Sequence, residues 1–239
     1  MKKSLIVLTV VLIVLVLDQT LKIWVKTHFC YGEDRPLFGL NWARLNFVEN
    51  PGMAFGWKFG GDYGKLALSL FRLVAIGFLI YYISKLVRRI DVSVGLLVSF
   101  SLILAGALGN IIDSAFYGLI FSESSYHCIS GPAQLFPPEG GYGTFLHGKV
   151  VDMLFFPMWK SADGDVKFFQ PVFNVADSAI TVGVVSILIF QRRFFTHSEN
   201  KSITENIDNQ SFAAENAVDT EGSENFEKGE PLPPKLDSL

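Results

Sequence analysis

Cysteine is nearly absent from this chain. Cys30 and Cys128 are the whole complement in 239 residues, which excludes an all-cysteine zinc site and a dense disulfide framework. They are read as two unpaired, partly buried thiols, with a bond between them in an oxidising compartment as the alternative. The four histidines, His28, His127, His147 and His197, have no metal-ligand spacing, so no metal is expected. Charge is scarce too, at 18% of residues against 50% hydrophobic, and mean hydropathy is +0.35. That balance argues against a water-solvated single-core domain. No stripe of Lys and Arg interleaves with aromatics, so nucleic acid is not an expected partner.

Long apolar runs take the place of charge. Residues 4–17 are apolar except for Ser4 and Thr9, and extending the run to Val25 gives a helix that crosses a bilayer at about 1.5 Å per residue. Asp18-Gln19 stands where a small-x-small cleavage site would follow Leu17, and His28-Phe29 do not fit a lipobox ahead of Cys30. The segment is therefore read as a retained helix and not as a cleaved signal. With spans at 4–25, 66–84, 92–112 and 171–190, the chain is expected to be an all-α polytopic membrane protein of four transmembrane helices. Lys2, Lys3, Lys85, Arg88, Arg89, Arg192 and Arg193 occupy short flanks. The positive-inside rule then puts both termini in the cytoplasm and the segments 26–64 and 114–170 outside.

Within those outer segments, 40–47 and 166–169 read as short strands on the membrane surface, and 118–148, rich in Gly, Pro and Ser, as irregular. Residues 1–193 form the membrane domain. Residues 194–239 form a tail that from position 197 holds ten acids against Lys201, Lys228 and Lys235, so the net charge of −3 hides a mildly basic membrane domain. With few large apolar residues the tail is expected to be disordered.

Ionisable groups inside membrane spans are costly and point to function. Asp18 and Lys22 at the end of span one, Asn110 and Asp113 at the end of span three, and Asn174 and Asp177 in the first turns of span four all fall near the outer leaflet. Their i,i+4 and i,i+3 spacings put each pair on one helical face. Ser101, Ala105 and Gly109, and Ala179 and Gly183, supply small residues for close helix contact. Blander readings exist: Asp18/Lys22 as a neutralising pair, Asn110 and Asn174 as interhelical hydrogen-bonding amides, and Arg72 either snorkelling outward or pairing with a carboxylate. Asp177, about two turns into an apolar helix, and Asp152, inside Val150-Val151-Asp152-Met153-Leu154-Phe155-Phe156, are harder to dismiss. Two such acids brought together would share one proton and supply a general base and a general acid. That is the equipment of an aspartic hydrolase.

Five ordered motifs carry a resemblance. Asp18-Gln19-x-x-Lys22, Asn50-Pro51-Gly52-Met53-Ala54-Phe55-Gly56, Gly106-Ala107-Leu108-Gly109-Asn110-Ile111-Ile112-Asp113, Val150-Val151-Asp152 and Phe173-Asn174-Val175-Ala176-Asp177-Ser178 closely resemble those of the lipoprotein signal peptidases, or signal peptidase II, over residues 5–190. The resemblance implies a monomeric, cofactor-free aspartic endopeptidase of the bacterial inner membrane, with an outward-facing active site and a small extracytoplasmic β-platform. It would remove signal peptides from diacylglyceryl-modified prolipoproteins, cutting before the lipidated cysteine, with membrane lipid around it. By position it implies Asp152 and Asp177 as the catalytic pair, and Asn50 and Gly52 lining the substrate site. Asn110, Asp113 and Asn174 would hold the geometry, and Asp18 and Lys22 would support the fold. The family often has Arg where this chain has Ser114, and the stretch 121–146 exceeds the usual connection. Competing readings are a proton-coupled transporter using Asp18, Asp113 and Asp177, a Ser-Lys protease built on Ser178 and Lys22, and a structural membrane subunit.

Overall fold

The computed structural model describes residues 2–51, 61–126, 128–157, 159–160, 166–168 and 171–190. Gly52, His127, His197, Phe169 and the tail 194–239, all named above, lie outside them. Among the described residues, three helices are long and apolar enough to cross a membrane, α1 (Lys3–His28), α2 (Gly61–Arg88, with its apolar span at Leu66–Arg88) and α3 (Val94–Ile112, whose span runs on to Ile120). A shorter apolar helix, α5, follows at Val175–Phe190. Leu, Ile and Val dominate all four, and much of their surface stays exposed, as on Leu12, Val16, Phe71, Val74 and Leu188. Such an apolar exterior suits lipid.

The elements depart from the sequence expectation at their ends. α1 continues to His28, with Lys26 and His28 in its last turn, where cations complement the helix dipole. α3 starts at a Ser93 cap, whose side chain accepts from the Leu96 amide at 3.2 Å, and does not stop at Ile112. It widens into a π-turn at Asp113–Tyr117 and closes with α4, Gly118–Ile120. The fourth apolar helix begins at Val175, because Pro171–Asn174 is engaged elsewhere.

Packing at the centre depends on missing side chains. A Cβ on Gly106 would lie 2.2 Å from the Ala176 carbonyl oxygen, one on Gly183 2.6 Å from the Ser99 carbonyl oxygen, and one on Gly109 2.6 Å from Asp18 Oδ2. Those three glycines let α3 meet α5 and α1 at backbone distance.

Outside the helices, β1 (Asp34–Leu37), β2 (Leu40–Asn50) and β3 (Val150–Phe155) form an antiparallel sheet in that order. Phe38 and Gly39 turn the first hairpin, both with positive φ, at 51° and 76°, as a two-residue type I′ turn needs. β4 (Trp159–Lys160) and β5 (Val166–Phe168) make a second, two-stranded sheet. The 40–47 strand is thus longer than expected, the 166–169 strand is present as β5, and β3 is a strand that the apolar run around Asp152 did not announce. The described residues of 122–148 carry neither helix nor named strand.

The cysteines correct the expectation of free thiols. Cys30, just past α1, is bonded to Cys128, with Cα atoms 5.2 Å apart. A parallel bridge between Tyr31 and Tyr126 runs beside it. Bringing the two residues together across 98 positions is a tertiary event that spacing could not disclose.

Candidate active site

Asp152 is placed by two backbone pairings. In the sheet it stands opposite Val48, and Val150 opposite Asn50. On its other side, Leu154 and Phe173 exchange hydrogen bonds at 2.7 and 3.0 Å, and the Met153 amide donates to Phe173 O at 3.1 Å. Phe173 is therefore stitched to the platform, and Asn174 is delivered beside Asp152.

Asn174 is not a helical residue, which corrects the placement of Asn174 and Asp177 on one helix face. It is the N-cap of α5. Its Oδ1 accepts from the Asp177 amide at 2.8 Å, while Asp177 Oδ2 accepts from the Asn174 amide at 3.3 Å, a reciprocal capping box. Asp177 consequently sits in the first turn and not the second. The same Asn174 uses Nδ2 to donate to Asp152 Oδ1 at 2.7 Å and to Asn110 Oδ1 at 3.1 Å. One amide side chain thus touches Asp152 directly and caps the helix that holds Asp177.

Asn110 completes the bridge, donating from Nδ2 to Asp177 Oδ1 at 2.8 Å and accepting on Oδ1 from Lys22 Nζ at 3.0 Å. Lys22, fully buried, pairs with Asp18 at 2.9 Å and Asp113 at 2.8 Å. Asp18 Oδ1 then accepts from the Ala176 amide at 2.8 Å, and Asp113 Oδ2 from the Val151 amide at 3.2 Å. Asp18 and Lys22 are more than a pair neutralising each other: they tie α1 to α3, to β3 and to the start of α5. Asp113 supports the strand next to Asp152, and its own backbone opens the π-turn, a distortion often found at functional sites.

Burial and the neighbouring Asp177 carboxylate push the Asp152 carboxyl up to about 8. Near neutral pH it keeps its proton.

Gln19 is a member of this cluster that sequence reasoning quoted in a motif without giving it a role. Its Nε2 donates to Asp113 Oδ1 at 2.9 Å and Gly109 O at 3.2 Å, and its Oε1 accepts from Tyr117 OH at 3.1 Å. Its position beside Asp18 was the available signal. Ser178 and Lys22 are not joined: Ser178 Oγ donates to Asn174 O at 2.9 Å, and no hydrogen bond links the two among the described residues. Asn50 ends β2 at the platform edge.

The family model described as Signal peptidase (SPase) II matches residues 10–193. A lipoprotein signal peptidase of Porphyromonas gingivalis is 47% identical over 193 residues, covering 77% of this chain and 81% of that protein. One from Amoebophilus asiaticus is 37% identical over 193 residues, covering 77% and 76%. A solved bacterial membrane enzyme shares the fold with a TM-score of 0.51 at 21% identity, over 78% of this chain and 87% of that one.

Proposed function

The chain belongs to the signal peptidase II family, membrane enzymes that remove signal peptides from prolipoproteins, and from that premise we propose that Asp152 and Asp177 perform the cleavage as an aspartic pair. The observation that carries the assignment is Asn174, bonded to Asp152 and capping the helix of Asp177. Asp177 lies in the first turn of α5, and Asp152 holds a proton.

Water enters between them. Its oxygen attacks the carbonyl carbon of the bond before the lipidated cysteine while its proton passes to Asp177. The C–N bond then breaks as Asp152 gives its proton to the departing nitrogen, and transfer of the proton from Asp177 to Asp152 resets the pair. Asn110, Asn174, Asp113, Lys22 and Asp18 hold the two carboxyls in register, and Asn50 lines the approach of the substrate. No cofactor enters this scheme.

The substrate is a diacylglyceryl-modified prolipoprotein. Its acyl chains lie in the outer leaflet and present the peptide bond to a site facing the outer side, with anchoring supplying orientation and effective concentration. Four spans and cytoplasmic termini complete this reading, which rests on the apolar runs and the flanking Lys and Arg residues.

The deciding experiment incubates the purified full-length protein in detergent with lipid-modified and unmodified precursor at matched concentration. Cleavage of the modified form alone is expected; equal turnover of both would defeat the lipid requirement, and no turnover of either would defeat the activity.

A further inference from the structure

α2 turns one stripe inward. Ser69, Ile76, Ile83 and Leu86 on it are buried, and Arg72, three residues after Ser69 and four before Ile76, shares that stripe. Ser69 Oγ donates to Leu146 O at 3.4 Å, which fixes this level of α2 against the segment leading to β3. Arg72 Nη1 donates to Ser114 Oγ at 3.5 Å, and Ser114 Oγ donates to Asn110 O at 3.1 Å. The guanidinium therefore enters the bundle at the depth of the acid cluster instead of snorkelling into headgroups, a placement that is costly for a cation unless carboxylates meet it.

The charges around the pair come from every element packed there: Asp18 and Lys22 on α1, Arg72 on α2, Asp113 at the end of α3, Asp152 on β3 and Asp177 on α5. Lys22 is committed to Asp18 and Asp113 through its two ion pairs. The carboxylates of Asp177, Asp113 and Asp152 all lie within electrostatic reach of Arg72. A guanidinium stays charged at all working pH values and offers several donors in a fixed plane, so its bias on the pair is permanent.

Resting on the aspartic-pair reading, we propose that Arg72 is the positioning residue that keeps the negative charge of the pair on Asp177 and leaves the shared proton on Asp152. Without it, the two carboxyls face the carboxylates of Asp18 and Asp113 with only Lys22 in compensation, and the pair takes up a second proton more readily. Water activation then fails at a pH where the wild type works.

The test measures kcat, KM and the pH dependence of kcat/KM on lipid-modified prolipoprotein for full-length wild type, Arg72→Met and Arg72→Lys in detergent. Arg72→Met is expected to lose about 100-fold in kcat with KM nearly unchanged, and its acid limb should move to higher pH by about one unit. Arg72→Lys, which keeps the charge, should recover most of the rate and return the limb. Retention of half the wild-type kcat by Arg72→Met would overturn the proposal. So would equal losses in both variants with the limb unmoved, since a purely structural role predicts that pattern. If Arg72→Met does not accumulate in membranes, Arg72→Lys decides: activity with an unmoved limb supports the proposal, and loss of activity overturns it. A fully active Asp177→Asn would instead remove the underlying aspartic-pair reading.

Discussion

Lys22 and Lys26 lie one turn apart on α1, both with no exposed surface, yet they serve different networks. Lys22 sits among Asp18, Asp113 and Asn110, and the hydrogen bonds running on from it end at Asp152 and Asp177. Lys26 pairs with Glu49 on β2 and bonds Ser124 at 2.9 Å, with the Tyr142 and Phe121 rings 5.1 and 5.2 Å from its Nζ. Glu49 also meets Lys149 at 3.4 Å, and Lys149 meets Glu123 at 2.6 Å. Burial works against the Lys149 ammonium, but Glu123 and Glu49 outweigh it and hold its pKa above the ordinary lysine value.

The difference lies in the balance of charge. In the Lys26 network two cations meet two carboxylates and the arrangement closes on itself, clamping the 122–148 segment to the platform beside the Cys30–Cys128 bond. In the Lys22 cluster, Asp18, Asp113, Asp152 and Asp177 outnumber Lys22 and Arg72. That surplus of acid cannot be fully ionised at low cost, and it is where a proton can be stored and moved. The first region is a fastening, and the second is the proposed reactive site.

The largest expected effect breaks the second region at its centre. Asp152→Asn and Asp177→Asn should each lower prolipoprotein cleavage by at least about a thousandfold while the protein remains in the membrane, because an amide cannot relay the proton. Asp113→Asn should retain measurable activity if it only supports the geometry. Near-normal turnover in Asp152→Asn with none in Asp113→Asn would reassign the pair.

Next come the two lysines. Lys22→Met leaves Asp18 and Asp113 buried without their cation, a change expected to cost about 3–5 kcal/mol and to take activity down with stability. Lys26→Met leaves Glu49 with Lys149 and Ser124 and sets an apolar chain among Phe47, Phe121 and Tyr142. It should lower the melting temperature while leaving kcat within about twofold, since its network does not reach Asp152 or Asp177. Thermal melts alongside kinetics check both, and equal losses of kcat would erase the distinction.

A smaller effect concerns pH. Because the Asp152 carboxyl is raised to about 8 and, in the proposed mechanism, its proton is the one given to the leaving nitrogen, kcat should fall as pH rises through that value. Stability shifts the same way, since the unfolded carboxyl ionises at lower pH than the folded one: this contribution is complete below the unfolded pKa and is lost as pH climbs toward about 8. A pH profile flat through that range would contradict the acid role.

The mildest change is predicted for the fastening. Replacing both Cys30 and Cys128 by Ala should cost about 2–4 kcal/mol of stability and leave kcat nearly unchanged. A matching loss in kcat would mean that the 122–148 segment acts on the site.

Much of the site was legible before any fold was known. Asp18, Lys22, Asn110, Asp113, Asn174 and Asp177 stand out because polar residues are expensive in apolar helices, and counting along each span brings them to one depth. Arg72 was visible as a charge, but whether it faced lipid or acids was not. Gln19 was overlooked because a neutral amide beside an acid carries no energetic alarm. Gly52 and the tail 194–239 fall outside the described residues.

By itself, the sequence determined the apolar helices, the polar level near their ends and the residue types able to move a proton, because these follow from hydropathy and helical period. Only the tertiary structure decided that Asn174 caps a helix instead of riding on it, that Asp152 lies on a strand paired with β2, that α3 opens into a π-turn at Asp113, and that Cys30 finds Cys128. The strand pairing and the disulfide join distant positions, as the Ala176 amide meets Asp18 across 158 residues; the cap and the π-turn are local shapes whose side chains are held by such contacts. Local periodicity shows which face a residue occupies, and packing alone selects what that face meets.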